Sequence, residues 1–274
     1  MLTLFTVPKP FTGKFNIIQR NSIQSWIRIK SNPEIVLFDK HEGTEKISKE
    51  LSIRNISDIP HNEFGTPLVN SIFEKAHAAA NYDVVCYLNT DIILTDSFIY
   101  GIQKAREFSG DNKFLITGRR WSIYLDRPWN FNKGDWQEGL VKYRGYNGFL
   151  GGNSHIDYFI FPKDIDWEMP PFLLERGAWE GWFIYNAIKM DIPVIDATDF
   201  MTAYHQEHFN FDPEIANKPQ IKAEIRKNKK LGGSFPNQYN ILDSTHILTS
   251  NGLKKSLFTR KFSANILRIK TLFI

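Results

Sequence analysis

Short apolar runs separated by polar turns recur along most of the chain. The clearest runs are Leu2–Val7, Glu34–Asp39 and Val84–Leu88. Each run is rich in residues that favour strands, and each is apolar at consecutive positions. Because strands that are covered on both faces have this composition, the pattern predicts central strands of a parallel sheet.

Helical spacing of apolar residues appears between these runs. Strands and helices that alternate in this way are typical of βαβ units, so the fold class predicted is α/β, with a mostly parallel central sheet flanked by helices. Gly65-Thr66-Pro67 is interpreted as a helix start, with Thr66 as the cap. Further strands are predicted at 113–117, 156–161 and 192–197, and helices at 16–29, 68–80, 98–105, within 174–190 and at 221–230.

Two segments show neither the helical nor the strand spacing of apolar residues. Residues 40–64 are polar and irregular, with a short strand predicted near Ile53. Residues 121–152 carry many aromatic side chains without helical or strand spacing, and are predicted to form a long connection. Long connections are often functional, and aromatic rings suit the apolar faces of sugars, although simple packing explains any single ring equally well.

Polar residues follow several of the predicted strands. Asn89-Thr90-Asp91 ends the central strand, Asp39 ends the second, and a late strand leads to His205. Ligands of parallel sheets bind at the carboxyl ends of the strands, so these side chains are expected at one edge. The alternative is that Asn89 and Asp91 only form a turn.

Composition narrows the location and the chemistry. The only cysteine, Cys86, lies inside the predicted central strand, which excludes a disulfide framework and a cysteine metal site and predicts a reducing, cytoplasmic location. No apolar stretch reaches the roughly 18 to 20 residues that span a bilayer. The first residues lack the pattern of a signal peptide.

Charge is distributed unevenly. Residues 213–274 carry 12 Lys and Arg against 3 Asp and Glu, whereas residues 1–212 carry 22 against 27. We therefore expect a catalytic domain at 1–212 and a basic, helical C-terminal extension at 213–274. Apolar residues between Phe258 and Phe273 fall on one helical stripe opposite basic residues. This pattern predicts contact of residues 252–274 with an anionic membrane surface, on its inner face, or else packing on the body of the protein. No motif accompanies the charge that would indicate nucleic acid.

Several motifs, in this order along residues 1–210, resemble the GT-A family of nucleotide-sugar glycosyltransferases. They are Tyr87-Leu88-Asn89-Thr90-Asp91-Ile92-Ile93-Leu94, Gly151-Gly152 before Asp157-Tyr158-Phe159, Arg176 with Trp179-Glu180-Gly181-Trp182, and Tyr204-His205-Gln206. The resemblance implies a Rossmann-like GT-A fold. It also implies transfer of a sugar from a nucleoside diphosphate-sugar donor to a saccharide or glycolipid acceptor, in assembly of a surface polysaccharide or glycolipid.

The resemblance further implies a divalent cation, because a leaving diphosphate needs charge neutralisation. Asp91 and His205 match the family's metal ligands, and Mn²⁺ or Mg²⁺ suits such a site. The sequence departs from the family at Asn89, where an acid is common, so only one carboxylate is available there.

Other positions match the family's donor and acceptor contacts. Glu180, between two tryptophans, matches the acidic residue near the acceptor and would act as general base in an inverting reaction, or only orient the acceptor in a retaining one. Asp157 is the second candidate, as a catalytic residue or a sugar-hydroxyl contact. Donor-binding residues implied by the resemblance or by position are Thr6, Pro8, Asp39, Gly65, Asn89, Arg119, Arg120, Gly152 and Arg176.

Two other functions compete with sugar transfer. A sugar-phosphate nucleotidyltransferase shares the layered fold, but Thr6-Val7-Pro8-Lys9-Pro10 lacks the Gly-rich loop that usually follows its first strand. A non-catalytic module that binds carbohydrate or lipid is favoured by Asn89 and by the aromatic segment 121–152.

Overall fold

The computed structural model describes residues 1–109, 113–208, 217–233 and 239–257. These residues form thirteen strands. The strands are β1 (Leu2–Thr6), β2 (Glu34–Phe38), β3 (Arg54–Ile56), β4 (Val84–Leu88), β5 (Ile92–Leu94), β6 (Leu115–Thr117), β7 (Trp121–Ile123), β8 (Gly148–Leu150), β9 (Tyr158–Pro162), β10 (Val194–Asp196), β11 (Ala203–Gln206), β12 (His246–Thr249) and β13 (Gly252–Lys255).

Seven α-helices lie in the same described ranges. They are α1 (Gly13–Arg28), α2 (Thr44–Leu51), α3 (Val69–Ala79), α4 (Asp96–Ser109), α5 (Trp136–Asn147), α6 (Trp179–Lys189) and α7 (Pro219–Gly232).

Nine strands form the main sheet, in the order β13-β12-β10-β6-β9-β4-β1-β2-β3. Parallel pairing joins β4, β1, β2 and β3, and also β6, β10 and β12, whereas β9 and β13 run antiparallel to their neighbours. Alternate side chains of β4 enter two separate cores, Cys86 on one face and Tyr87 on the other. The predicted α/β class, with a mostly parallel central sheet between helices, is confirmed.

A second sheet has four strands in the order β5-β11-β7-β8. His205 was expected to follow a strand that ends at the edge of the main sheet. Instead β10 ends at Asp196, and His205 lies on β11 of the small sheet. The β5–β11 pairing is antiparallel and places His205 opposite Ile92, the residue that follows Asp91. The two residues are therefore brought together by the small sheet and not by a shared edge.

The aromatic segment 121–152 contains more secondary structure than predicted. Residues 121–152 contain β7, α5 and β8 in addition to loops, and their side chains form a third core with β5 and β11. The sequence did not show the alternation of apolar and polar residues that marks a strand, because β7 and β8 have only three residues each. Helix α2 was missed in the same way within 40–64, since Ile47 is the only fully buried apolar residue of its eight.

The predicted cap at Thr66 is wrong. Helix α3 begins at Val69 and has no side-chain cap. The hydroxyl of Thr66 instead donates to the carboxylate of Glu224 on α7, at 2.7 Å. Thr66 lies two residues before Leu68, which occupies the N-cap position of α3, so its side chain is outside the capping position.

The C-terminal part is only partly helical where it is described. The helix predicted at 221–230 is confirmed as α7, but β12 and β13 follow it and extend the edge of the main sheet. Residues 252–255 of the proposed membrane segment therefore form a strand. The amphipathic helix predicted between 258 and 273 lies outside the described residues.

None of the helices among the described residues is both long enough and apolar enough to cross a bilayer.

Candidate active site

Three side chains that can bind a metal converge beside the end of β4. The Asp91 carboxylate lies 3.3 Å from Nε2 of His205 and 2.9 Å from Nε2 of His208. One ligand atom from each residue lies within 4.8 Å of the other two. One carboxylate and two imidazoles form a donor set that holds a divalent cation.

Local structure fixes this geometry. The backbone N–H of Gln206 donates to the carbonyl of Asp91 at 3.1 Å, which continues the β5–β11 pairing up to the cluster. The indole N–H of Trp26, fully buried on α1, donates to the carbonyl of Ile92 at 2.8 Å. The strand that follows Asp91 is therefore held from both sides.

Asp91 and the two histidines stabilise each other's charged forms. Burial opposes the charge on Asp91, yet the imidazoles of His205 and His208 hold the pKa of this carboxyl well below its usual range. Burial likewise opposes the charge on His205, but Asp91 raises its pKa to about 9. Oδ1 of Asp91 is buried and has no hydrogen-bond partner among the described residues, so this oxygen is free to bind a further ligand.

A second carboxylate supports His205 from behind. Oε1 of Glu207 lies 3.4 Å from Nδ1 of His205 and 3.8 Å from the guanidinium of Arg120. The contact with His205 contributes most to lowering the pKa of Glu207, to about 2. Glu207 and Asp91 therefore lie against opposite nitrogens of the His205 ring, Nδ1 and Nε2.

Arg120 and Asn89 are joined through Asp157. Nη1 of Arg120 lies 2.7 Å from Asp157, and the amide of Asn89 donates to the other oxygen of the same carboxylate at 2.8 Å. Asn89 in turn accepts from the hydroxyl of Tyr87 at 3.2 Å. Asp157 is 6% exposed, contacts Arg120 and does not line the cleft, so its direct contact with a substrate stays a prediction.

These groups border a cleft of about 810 Å³. Glu180, in the first turn of α6, lies on its wall, and burial raises the pKa of this carboxyl to about 7, with the charge of Asp157 adding to the effect. A carboxyl with this pKa exchanges protons near neutral pH, as a general base must. The residues that line the cleft are Val7, Lys9, Phe15, Gln19, Tyr87, Asn89, Thr90, Asp91, Arg120, Leu174, Glu175, Trp179, Glu180, His205, Glu207 and His208.

A smaller pocket of about 280 Å³ adjoins the cleft, and we call it the side pocket. Three residues predicted to bind the donor, Pro8, Gly65 and Arg176, line it. Val7, Lys9, Leu174 and Glu175 line both cavities, so the two spaces are neighbours.

Four other predicted donor residues line neither cavity. Thr6 is 1% exposed and its hydroxyl bonds to that of Thr90 at 2.8 Å. Arg119 is half-buried, and its guanidinium donates to the carbonyl of Gly151 at 3.4 Å. Gly152 lies in an exposed turn, where its N–H donates to Nδ1 of His155.

Asp39 is the fourth of these residues. It is 1% exposed, and its carboxylate lies 2.9 Å from His61 and 3.1 Å from His41. Of these three side chains, His41 reaches the side pocket. A direct contact of Asp39 with a ligand in that pocket therefore stays a prediction that this geometry does not favour.

Sequence reasoning did not single out His208, Glu207 or Lys9. The spacing His205-x-x-His208 was a usable signal, because a strand end followed by a turn can bring both rings to one point. Glu207 follows His205 by two residues, and residues at this spacing share one face of a strand, so this spacing was also a usable signal.

Comparison with known proteins yields structural similarity only. Neither a family model nor a curated protein matches the sequence. Glucosyl-3-phosphoglycerate synthase from Mycobacterium tuberculosis, in complex with Mg²⁺ and uridine diphosphate, matches 85% of this chain and 81% of its own, with 13% identity and a TM-score of 0.49. A structure of the same enzyme with Mn²⁺, uridine diphosphate and phosphoglyceric acid covers 83% and 78%, with 14% identity and a TM-score of 0.47.

A putative nucleotide-diphospho-sugar transferase from Desulfovibrio desulfuricans G20 is also similar. It covers 84% of this chain and 96% of its own, with 10% identity and a TM-score of 0.42. Because all three TM-scores lie below 0.5, the functional assignment depends on the residues of the site itself.

Proposed function

We propose that this protein is a metal-assisted glycosyltransferase that moves a sugar from a nucleoside diphosphate-sugar to a saccharide or glycolipid acceptor. The observation that carries the proposal is the Asp91, His205 and His208 cluster inside a cleft that adjoins the side pocket. A diphosphate-sugar needs a cation for its phosphates, an extended space for its nucleoside and a separate wall for the acceptor, and this arrangement supplies each of them.

Asp91, His205 and His208 would hold the ion, and the ion would supply charge neutralisation for the leaving diphosphate. Two imidazoles beside a single carboxylate favour Mn²⁺ over Mg²⁺, since Mg²⁺ prefers oxygen ligands. Mn²⁺ is therefore the ion that we propose. Lys9 and Arg120 add positive charge along the same wall.

The nucleoside would occupy the side pocket, between Pro8 and Arg176, with the sugar in the wider cleft. Glu180 would accept the proton of the attacking acceptor hydroxyl, since its pKa of about 7 leaves a large fraction ionised at neutral pH. Asp157 holds Arg120 and Asn89 in place.

Replacing Asp91 with Asn is the direct test. The substitution keeps the shape but removes the negative charge, so we expect loss of detectable transfer and loss of Mn²⁺-dependent donor binding, measured by calorimetry with uridine and guanosine diphosphate-sugars. Asp83→Asn, at a side chain that is 95% exposed, is the matched control and should behave as wild type. Full activity of the Asp91→Asn enzyme would refute the metal site.

The products that the protein releases distinguish the competing functions. A nucleotidyltransferase would release pyrophosphate from a nucleoside triphosphate and a sugar phosphate, whereas a glycosyltransferase releases a nucleoside diphosphate. A binding module would bind saccharide without releasing either product.

We further propose that the protein acts in assembly of a surface polysaccharide or glycolipid, at the inner face of a membrane. The uneven charge supports contact with anionic lipid, because 12 Lys and Arg lie in residues 213–274. On α7, Lys222, Arg226, Lys227 and Lys230 are exposed. Basic side chains near an anionic bilayer each contribute about 1 kcal/mol of binding.

A further inference from the structure

Helix α7 lines neither the cleft nor the side pocket, yet it is anchored to the loops around them. Its Glu224 is 3% exposed and its Asn228 is fully buried. The opposite side of the helix carries the exposed basic residues Lys222, Arg226 and Lys230. Polar side chains are buried in this way only when their hydrogen bonds are made, so the inner face has specific partners.

Glu224 joins two loops of the side pocket. Its carboxylate accepts from the amide of Asn62 at 2.6 Å, from the hydroxyl of Thr66 at 2.7 Å and from Nε of Arg176 at 2.7 Å. Thr66 and Arg176 both line the side pocket. The position of the Arg176 guanidinium therefore depends on a residue about fifty positions later in the chain.

Asn228 holds the backbone of the second loop. Its Oδ1 accepts from the N–H of Leu173 at 2.8 Å, and its Nδ2 donates to the carbonyls of Leu173 at 2.8 Å and Gly177 at 2.9 Å. One side chain thus makes three hydrogen bonds to the two ends of a short segment.

The segment between those ends has an unfavourable backbone conformation. Glu175, Gly177 and Ala178 have φ values of 60°, 67° and 72°, and two of them are not glycine. Such a residue costs on the order of 1–3 kcal/mol and persists only where surrounding contacts enforce it. The segment leads directly into α6, whose first turn carries Glu180.

We propose that Glu224 and Asn228 are positioning residues of the donor site, which hold residues 173–178 so that Arg176 faces the side pocket and Glu180 faces the cleft. Neither residue touches the substrate. The inference rests on the proposed function for its kinetic consequences, and on the contacts above for its structural ones.

Asn228→Asp tests the proposal, because it keeps the shape but replaces the donor of two hydrogen bonds with a carboxylate that repels both carbonyls. Two lost hydrogen bonds are worth about tenfold or more in an equilibrium. We expect the donor KM to rise at least about tenfold and kcat to fall, measured well below the melting temperature. Ala223→Ser, at an exposed and uncharged position of α7, is the control and should change neither constant.

Glu224→Gln gives an independent measurement. It should raise the donor KM, and most of this effect should disappear when Arg176 is already replaced by Gln, because the contact between Glu224 and Arg176 is then already lost. Additive effects of Glu224→Gln and Arg176→Gln would contradict the proposed coupling.

Hydrogen exchange separates this inference from the proposed function. In the Asn228→Asp protein the amides of residues 173–180 should exchange faster, while those of β4 and β11 keep the wild-type rate. If wild-type protein transfers no sugar, the proposed function fails and the exchange result still decides the role of α7. Unchanged exchange at 173–180, or a lowered melting temperature with wild-type KM and kcat, would overturn the positioning role.

Discussion

Glu180 is the residue whose chemistry depends most on its surroundings. It follows Trp179, whose ring centroid lies 5.2 Å from that of Tyr87, and both rings line the cleft together with Glu180. Desolvation favours the neutral carboxyl and raises its pKa to about 7. Below this pH the group is protonated and cannot accept a proton, whereas above it the carboxylate is available.

We therefore expect the rate of transfer to rise as the pH increases through about 7, where half of Glu180 is ionised, and to level off above it. Glu180→Gln should lower kcat at pH 8 by about 100-fold or more, the scale of lost general-base help, and should remove this ascending limb. The measurement is a pH–rate profile of both proteins at saturating donor. An unchanged profile in the variant would contradict the proposal that Glu180 is the general base.

His208 offers a second test at the same scale, because the sequence did not predict it as a ligand. Removing one of three protein ligands should weaken Mn²⁺ binding at least about tenfold, as loss of even a supporting group commonly does. His208→Ala can be measured by calorimetry against His77→Ala, an exposed histidine that is not in the cleft. Equal Mn²⁺ affinity in the two variants would remove His208 from the site.

Among the elements, the long buried strands were predictable and the short ones were not. β1, β2 and β4 are apolar on both faces, and this composition identified them, together with the acids that follow β2 and β4. β5, β7 and β8 have three residues each. β5 and β7 pair with β11, and β8 pairs with β7, so this sheet depends on contacts between distant parts of the chain. The place of Asp91 was therefore predictable from the sequence, whereas the reason that His205 lies beside it was not.

Gln206 shows how the small sheet is attached to α1. Its side chain is fully buried, donates to the carbonyls of Ile18 and Asp91 and to the hydroxyl of Ser22, and accepts from the amide of Asn21. Gln206 thus connects the helix, the strand and the residue that begins the metal cluster.

Gln206→Leu should destabilise the protein, because it leaves the buried amide of Asn21 and two carbonyls with fewer partners. A cost of about 2–4 kcal/mol is expected from such unsatisfied groups, measured by urea unfolding. Gln103→Leu, at an exposed position of α4, is the control and should change the free energy of unfolding by less than about 0.5 kcal/mol. A small effect at Gln206 would mean that the attachment is redundant.

For the whole molecule, the C-terminal segment has to be divided more finely than its charge suggests. β13 belongs to the main sheet, so a truncation that begins at residue 252 would remove an edge strand along with the basic residues. A truncation after residue 257 spares the sheet.

Protein lacking residues 258–274 should lose most of its binding to vesicles that contain anionic lipid, while its melting temperature stays close to that of the full chain. Sedimentation with vesicles of neutral and of anionic composition measures this, and raised salt should weaken the binding of the full chain. Equal sedimentation of both proteins would place the membrane contact elsewhere, for which the exposed basic side of α7 is the next candidate.

The β5–β11 pairing has a mechanical consequence. Asp91 stands where the chain leaves the large sheet, and both histidines belong to or follow a strand of the small one. A cation bound by all three side chains would link the two sheets. Metal binding should therefore reduce motion between the sheets as well as prepare the site for chemistry.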